Sequence, residues 1–288
     1  MRIRTPAKIN TVLHVLARRP DGYHDLFLTY VPVSLYDEIA FELGAPPGIE
    51  LTVAGAALPA APRDNLVHRA AAAFYARCGL APALRLRLLK RIPFAAGLGG
   101  GSGNAAGTLR ALNHLHGAPL APQALAGLAR ELGADVPFFL HPRPMLARGI
   151  GDELTPWGDL PPWPLLIVKP DVAIATAAAY GLVRPRARPD VPPPGRDLAG
   201  VLAHLDNDFE PALFPVHPLL ARIKAALLAV GAAGALLSGS GSAVFGLFTD
   251  EHARDRAAAR LAPQGLGLLL PCAVLSRHAY LPAGAAAP

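Results

Sequence analysis

Cysteine is nearly absent from this chain: Cys78 and Cys272 are the two in 288 residues, too few and too far apart for a disulfide framework or a cysteine metal centre. Two buried thiols in a reducing compartment are expected. Long apolar runs are missing as well, although hydrophobic residues make up 52% of the sequence, so no membrane partner is expected. The opening MRIRTPAKIN lacks the apolar core of a secretory signal, which points to the cytoplasm. Aromatics are sparse at 6% and do not interleave with the basic residues, which are scattered and largely arginine. The net charge of +6 therefore suits a small polyphosphate ligand, with no nucleic-acid partner expected. No clustered carboxylates identify metal ligands, which stay unknown. What remains is a packed globular protein, long enough for two domains and, as a monomer or homodimer, turning often on 28 Gly and 31 Pro.

Glycine is where the chain is rich and local. Between Pro93 and Asn113 it reads PFAAGLGGGSGNAAGTLRALN, with Gly97, Gly99, Gly100, Gly101 and Gly103 crowded around Ser102. Residues without Cβ let backbone N–H groups converge on a guest, and a helix expected to begin near Asn104 would aim its positive end at the same point. This is an anion-binding loop, and its natural guest is a phosphate. It fits neither the dinucleotide G-x-G-x-x-G nor the P-loop G-x-x-x-x-G-K-[ST], because Ser102 takes the last glycine position of the first and no lysine follows for the second. A flexible linker is disfavoured by the apolar spacing of Ala105, Leu109, Leu112 and Leu115 directly behind it.

Strands are expected over Ile3 to Val15, Thr29 to Phe41 and Leu84 to Leu89. Between the last two, Asp64 can cap a helix that stops at Gly79; Pro122 starts another that Gly133 closes. Prolines 156, 161, 162 and 164 mark a boundary between a first domain, 1–155, and a second, 156–281. The second opens on a buried strand, Leu165 to Val168, followed by a helix from Pro218 to Val230. Strands Gly234 to Leu237 and Ala243 to Phe248 then flank SGSGS, a helix starts at Asp250, and a strand closes the unit over Cys272 to Arg277. Arg184 to Arg196 reads as an irregular, solvated excursion, and 282–288 as a disordered low-complexity tail.

Three segments taken together carry a resemblance. PAKIN (Pro6 to Asn10), PFAAGLGGGSGNAA (Pro93 to Ala106) and LLSGSGSAVFG (Leu236 to Gly246) resemble, in order and spacing, the signature motifs of the GHMP small-molecule kinases. RRPDGYHDL (Arg18 to Leu26), SLYDEI (Ser34 to Ile39), LGADVPFFL (Leu132 to Leu140) and GIGDELTP (Gly149 to Pro156) resemble the branch whose acceptor is a cytidine-diphosphate methylerythritol. The resemblance implies an α+β, two-domain fold: an N-terminal ATP-binding domain of ribosomal-protein-like βαβ type, a smaller ferredoxin-like C-terminal domain, and a cleft between them. It implies ATP-dependent phosphorylation of the acceptor's 2-hydroxyl in the non-mevalonate isoprenoid pathway. Two departures stand out. Gly103 replaces a serine common in relatives, removing any hydroxyl contact to phosphate or Mg²⁺ from that position, and Ala95 stands where glycine is frequent.

Phosphoryl transfer needs reactants positioned and charge neutralised more than it needs a strong base. Asp135 can accept a proton from a substrate hydroxyl, and LGADVP matches the family's catalytic aspartate. Lys8, in an apolar strand, calls for a carboxylate partner, which the resemblance implies is Asp135. Tyr23 and His24 suit stacking and edge-reading of a cytosine, with Tyr180 as a second aromatic clamp from the other domain and Asn10 and Thr176 as further acceptor contacts. ATP is expected on Asn65, Lys90, Pro93, Ala95, Ala96, Gly97, Leu98, Gly99, Gly100, Gly101, Ser102, Gly103 and Asn104. Ser238, Gly239 and Gly241 can bring a second turn's N–H groups to the substrate cleft, or serve only as a hairpin turn. Mg²⁺ is required to screen the triphosphate. Competing readings are another GHMP acceptor (homoserine, mevalonate or a sugar) and a non-catalytic nucleotide-binding regulator. Tyr23, His24 and Tyr180 speak against the former, Lys8 with Asp135 against the latter.

Overall fold

The structure, a computed structural model, describes residues 1–56, 62–188 and 191–275. The first half runs β1 (Arg2–Ile9), β2 (Val12–Arg18), β3 (His24–Leu43), β4 (Gly48–Gly55), α1 (Leu66–Cys78), β5 (Ala83–Lys90), α2 (Gly100–Leu115), α3 (Pro122–Leu132), β6 (Met145–Arg148) and β7 (Glu153–Pro156). The rest runs β8 (Pro164–Lys169), α4 (Thr176–Leu182), α5 (Leu198–Leu202), β9 (Asp206–Asn207), α6 (Glu210–Leu213), α7 (Pro218–Ala229), β10 (Gly234–Leu237), β11 (Val244–Leu247), α8 (Glu251–Leu261) and β12 (Leu268–Ala273). Among the described residues, no helix is long and apolar enough to cross a membrane.

The 20-residue strand β3 organises the first sheet. Its outer part pairs with β1 and β5, its inner part with β2 and β6, and β2 takes the short β9 from the second half as a parallel neighbour. Apolar side chains on one face of that sheet pack under α1, α2 and α3, where Phe74, Leu84, Leu86, Leu109 and Phe139 are fully buried. Each such side chain contributes roughly 1.5–3 kcal/mol on leaving water. The second sheet has the order β10-β11-β8-β12 and is antiparallel throughout. With α7 and α8 on the connections, this is the βαββαβ, ferredoxin-like arrangement that the resemblance implied. Leu275 N–H to the Pro32 carbonyl (2.8 Å) and Ala273 N–H to Ser34 Oγ (2.9 Å) fasten it to β3.

Boundaries differ from expectation in instructive places. Asn65, not Asp64, caps α1: its side-chain oxygen accepts the Val67 N–H at 2.9 Å, while Asp64 ends a preceding 3₁₀ turn. Helix α2 starts at Gly100, four residues before the expected Asn104, because glycines have no apolar period to announce a helix although tertiary packing supports one there. The closing strand covers Leu268–Ala273 rather than Cys272 to Arg277, whose last two residues lie outside the described set. Pro271 inside it is tolerated because β12 is an edge strand, bonded only to β8 within its sheet. The 282–288 tail also lies outside the described residues. The excursion after α4 has no regular structure as far as it is described, but it is fastened. Arg188 reaches Asp208 at 2.8 Å and Asp206 at 3.4 Å, and Arg186 N–H bonds the Val15 carbonyl at 2.9 Å.

Candidate active site

One cavity of about 1090 Å³ is lined by both halves. Strand period places the first contributors. Lys8 and Asn10 share a face of β1 and its extension, and His24, Leu26, Leu28 and Tyr30 share a face of β3; all six line the cavity. Helix period places Thr176, Ala177 and Tyr180 on the cavity side of α4. The glycine loop forms the floor, and Gly239 and Ser240 complete the wall.

The loop's shape follows from its neighbours. Gly99, left-handed at φ +67, turns the chain into α2 and supplies no side-chain cap, so the first-turn N–H groups of the helix lack an intrahelical partner and face the cavity end. Gly97 is left-handed and pressed between the two halves: a Cβ there would sit 1.9 Å from the Ser238 carbonyl oxygen. Ala95, at φ +49, keeps a left-handed backbone at a cost of about 1–2 kcal/mol, a conformation that glycine would take without that cost. Below the loop lies a buried network. Asp37 accepts from Lys90 Nζ, from the Arg91 (2.7 Å) and Ile92 (2.9 Å) amides and from Asn104 Nδ2 (3.0 Å), and Asn104 also donates to Thr5 Oγ1 at 2.6 Å. Lys90 and Asn104 therefore line the cavity with their polar ends committed to holding the loop in place, and Asn65 lines it while capping α1. Asp37, invisible as a site residue in the sequence, is the centre of that support.

Gly103, Ser238 and Gly241 do not line the cavity. Position 103 faces inward, where a Cβ would lie 3.0 Å from the Pro6 carbonyl oxygen and 3.3 Å from Phe139, so the missing serine concerns packing of α2 on β1 rather than a phosphate contact. Ser238 is fully buried and donates its hydroxyl to the Gly97 carbonyl at 3.1 Å, while Gly241 packs toward Leu237 and Ile174. The SGSGS turn thus joins the halves and offers the cavity Gly239 and Ser240, the latter unanticipated. The Gly239 backbone approaches the Lys8 ammonium: a Cβ there would be 3.2 Å from Nζ.

The expected Lys8–Asp135 ion pair is not made. Lys8 Nζ donates to Asn10 Oδ1 at 2.8 Å, and Asn10 in turn donates to the Thr29 carbonyl at 2.6 Å. Asp135, placed by the Gly133 turn after α3 and anchored by the buried Phe138 and Phe139, accepts the Tyr30 hydroxyl at 2.6 Å. Burial holds the Lys8 ammonium below the usual lysine range, and the Asp135 charge works the other way. At the far end, Tyr23 is 60% exposed, and the His24 and Tyr180 rings stack on each other at 5.0 Å and 17°. A base stacked between two rings needs roughly 7 Å from ring to ring, so the expected clamp is closed on itself. Burial first, and Arg18 second, keep His24 below its ordinary value, hence neutral at pH 7 with one donor and one acceptor nitrogen.

A glycine-rich loop leading into a helix, with Lys8 and Asp135 lining the same cavity between the two halves, is an arrangement suited to phosphoryl transfer to a small molecule. The GHMP kinases N terminal domain matches residues 65–143 and the GHMP kinases C terminal domain residues 194–265; the chain belongs to this family and is an ATP-dependent kinase. Its relatives narrow the class. It is 43% identical over 89% of its length to the 4-diphosphocytidyl-2-C-methyl-D-erythritol kinase of Geobacter sulfurreducens, covering 92% of that protein. It is 42% identical over 91% of its length to the protein of that name from Symbiobacterium thermophilum, covering 96% of it. A crystal structure of 4-(cytidine 5'-diphospho)-2C-methyl-D-erythritol kinase superposes with a TM-score of 0.82 at 37% identity, over 95% of this chain and 99% of that one. Homoserine kinase from Cytophaga hutchinsonii, with a TM-score of 0.73 at 18% identity over 98% of this chain and 96% of its own, shares the fold.

Proposed function

We propose that this kinase transfers the γ-phosphate of ATP to the 2-hydroxyl of 4-diphosphocytidyl-2-C-methyl-D-erythritol, giving the 2-phosphate and ADP, in the cytoplasm and within the non-mevalonate route to isoprenoids. The observation that carries the reading is the layout of one cavity: phosphate loop at one end, Lys8 and Asp135 at the middle, and the His24 and Tyr180 rings at the other. Relatives of that name at 40–43% identity over most of both chains support the choice of acceptor over homoserine or mevalonate.

In this reading the first turn of α2 receives the triphosphate on its N–H groups, whose partial positive charge favours an anion. Asp135 takes the proton of the attacking hydroxyl, and Lys8 holds that hydroxyl and offsets the charge that develops on the transferred group. His24, Tyr23 and Tyr180 hold the cytosine, and Asn10 and Thr176 lie along the acceptor's path. Lys90 and Asn65 serve by fixing the loop and the start of α1. Among the described residues no group of three or more His, Cys, Asp or Glu could hold a metal ion by itself. Magnesium, which keeps phosphate oxygens and waters as most of its ligands, fits a cavity whose carboxylates are Asp64 and Asp135, and it would screen the triphosphate there.

An assay of ADP release with the cytidine acceptor beside homoserine and mevalonate tests the reading; equal turnover of homoserine would overturn it. Asp135→Asn keeps the side-chain volume and removes the proton acceptor, so kcat is expected to fall by about 10²–10⁴-fold with ATP affinity by calorimetry nearly unchanged. Near-normal kcat in that variant would remove Asp135 from its role.

A further inference from the structure

The turn between β6 and β7 contains Gly151, part of the GIGDELTP stretch that marks the chain yet contributes no group to the proposed chemistry. Its backbone is left-handed at φ +102, and a Cβ there would lie 2.9 Å from the Tyr30 hydroxyl oxygen. That hydroxyl is the donor to Asp135 Oδ1 at 2.6 Å. The Tyr30 ring is 1% exposed and stacked on Phe138 at 4.6 Å and 21°, so it has one place to be. The Lys8 ammonium stands 5.8 Å from the centroid of the same ring, drawn back by its hydrogen bond to Asn10.

A buried ammonium and a half-buried carboxylate lining one cavity attract each other, and in contact they would fill the space a reacting hydroxyl must enter. Here each is held by a neutral partner instead. We propose that Tyr30 is a positioning residue that holds Asp135 away from Lys8, with Gly151 leaving room for its hydroxyl, so that the two groups frame a gap for the acceptor hydroxyl rather than closing on each other. The proposal rests on the roles given above to Lys8 and Asp135. The titratable groups around the Tyr30 hydroxyl are Asp135, Tyr180 of α4 and Asp152 of the Gly151 turn, and Asp135 is the carboxylate that faces Lys8. Burial, with Asp135 next, pushes the Tyr30 hydroxyl well above its ordinary value, so it stays a donor across the working range.

Tyr30→Phe in the full chain removes the hydroxyl and keeps the ring. Expected are a fall in kcat of about tenfold or more, the scale of a hydrogen bond to a charged group, with the KM for ATP unchanged. The alkaline limb of the kcat/KM profile should also move to higher pH, because Asp135 released onto Lys8 stabilises the ammonium. Gly151→Ala, which crowds the same hydroxyl while leaving the Tyr30 side chain intact, should shift kcat and the limb in the same directions, with Tm recorded for both variants because alanine is also strained at φ +102. Wild-type kcat and an unmoved limb in Tyr30→Phe would overturn the proposal, and so would a lowered Tm and kcat with the limb unmoved, the signature of packing alone. Asp135→Asn separates the two levels: if it retains turnover, the proposed chemistry itself is wrong, whereas an inactive Asp135→Asn beside an unaltered Tyr30→Phe refutes only the spacing role.

Discussion

Lys8 is 4% exposed and shows what burial does to a charged side chain that has no direct counter-ion. Desolvation lowers its pKa below 10.5, and the Asp135 charge offsets part of that. Activity that needs the ammonium should therefore be lost as pH rises through a value below 10.5, giving kcat/KM an alkaline limb below the ordinary lysine range. Stability should move the other way. Between the lowered folded value and the unfolded one, the unfolded chain binds the extra proton, so the contribution of Lys8 to stability rises with pH across that window. Urea midpoints of wild type minus Lys8→Met, followed alongside kcat/KM, check both signs; a difference that falls with pH would contradict the burial argument. At this scale the motifs singled out Lys8 and Asp135, which do line one cavity, but they implied a direct pair that is not made. Tyr30 and Asn10, which intervene, lie 105 and 2 residues from the groups they hold, and the first of those separations leaves no local pattern to read.

Helix α2 follows directly on the glycine-rich loop, and its first residues separate two reasons for glycine. Gly97 and Gly99 are left-handed, whereas Gly100 and Gly101 are already helical, so space rather than backbone angle decides substitution at the latter two. A Cβ at 100 would meet Ile92 at 2.8 Å and the Lys90 ammonium at 3.1 Å; at 101 the nearest atom is Leu66 Cδ1 at 3.3 Å. Gly100→Val should therefore both weaken ATP binding and cost about 1–3 kcal/mol of stability by overpacking against the Asp37 network. Gly101→Val, on the exposed side of the helix start, should weaken ATP binding by covering the N–H groups while the urea midpoint changes little. Calorimetry beside denaturation separates the two variants, and equal loss of stability in both would refute the distinction. Elements with a clear period or a proline start, such as α3 and α7, were legible in the sequence within a residue. The short strands β6 and β7, the helix α4 and the edge strand β4 were not, because each is stabilised by its partner across the sheet or cavity more than by its own pattern.

At the glycine-loop end the two halves of the molecule meet on the carbonyls of residues 95–97: Ser242 N–H bonds the Ala95 carbonyl at 3.4 Å, Ala243 N–H the Ala96 carbonyl at 3.2 Å, and the Ser238 hydroxyl the Gly97 carbonyl at 3.1 Å. At the other end of the cavity they meet through rings: His24 from β3 against Tyr180 from α4, which in turn meets Phe209 edge-on at 4.9 Å. The motif order in the sequence was enough to expect a cavity between two units, yet it could not show that β9 crosses from the second half to join the first sheet, nor that the aromatic clamp is shut. In the proposed function a base that parts those rings, or stacks on the outer face of Tyr180, uses Tyr180 and leaves the glycine loop untouched. Tyr180→Ala should thus raise the KM for the cytidine acceptor by about 5–150-fold, the equivalent of 1–3 kcal/mol for one base-stacking ring, with the KM for ATP nearly constant. The methylerythritol phosphate lacking the cytidine group should respond differently. With no base to hold, it is a poor substrate of the wild type, and Tyr180→Ala should change its kcat/KM little. If the variant instead lost the full and the truncated acceptor equally, and ATP with them, the His24–Tyr180 stack would be a tie between the halves and not a seat for the base.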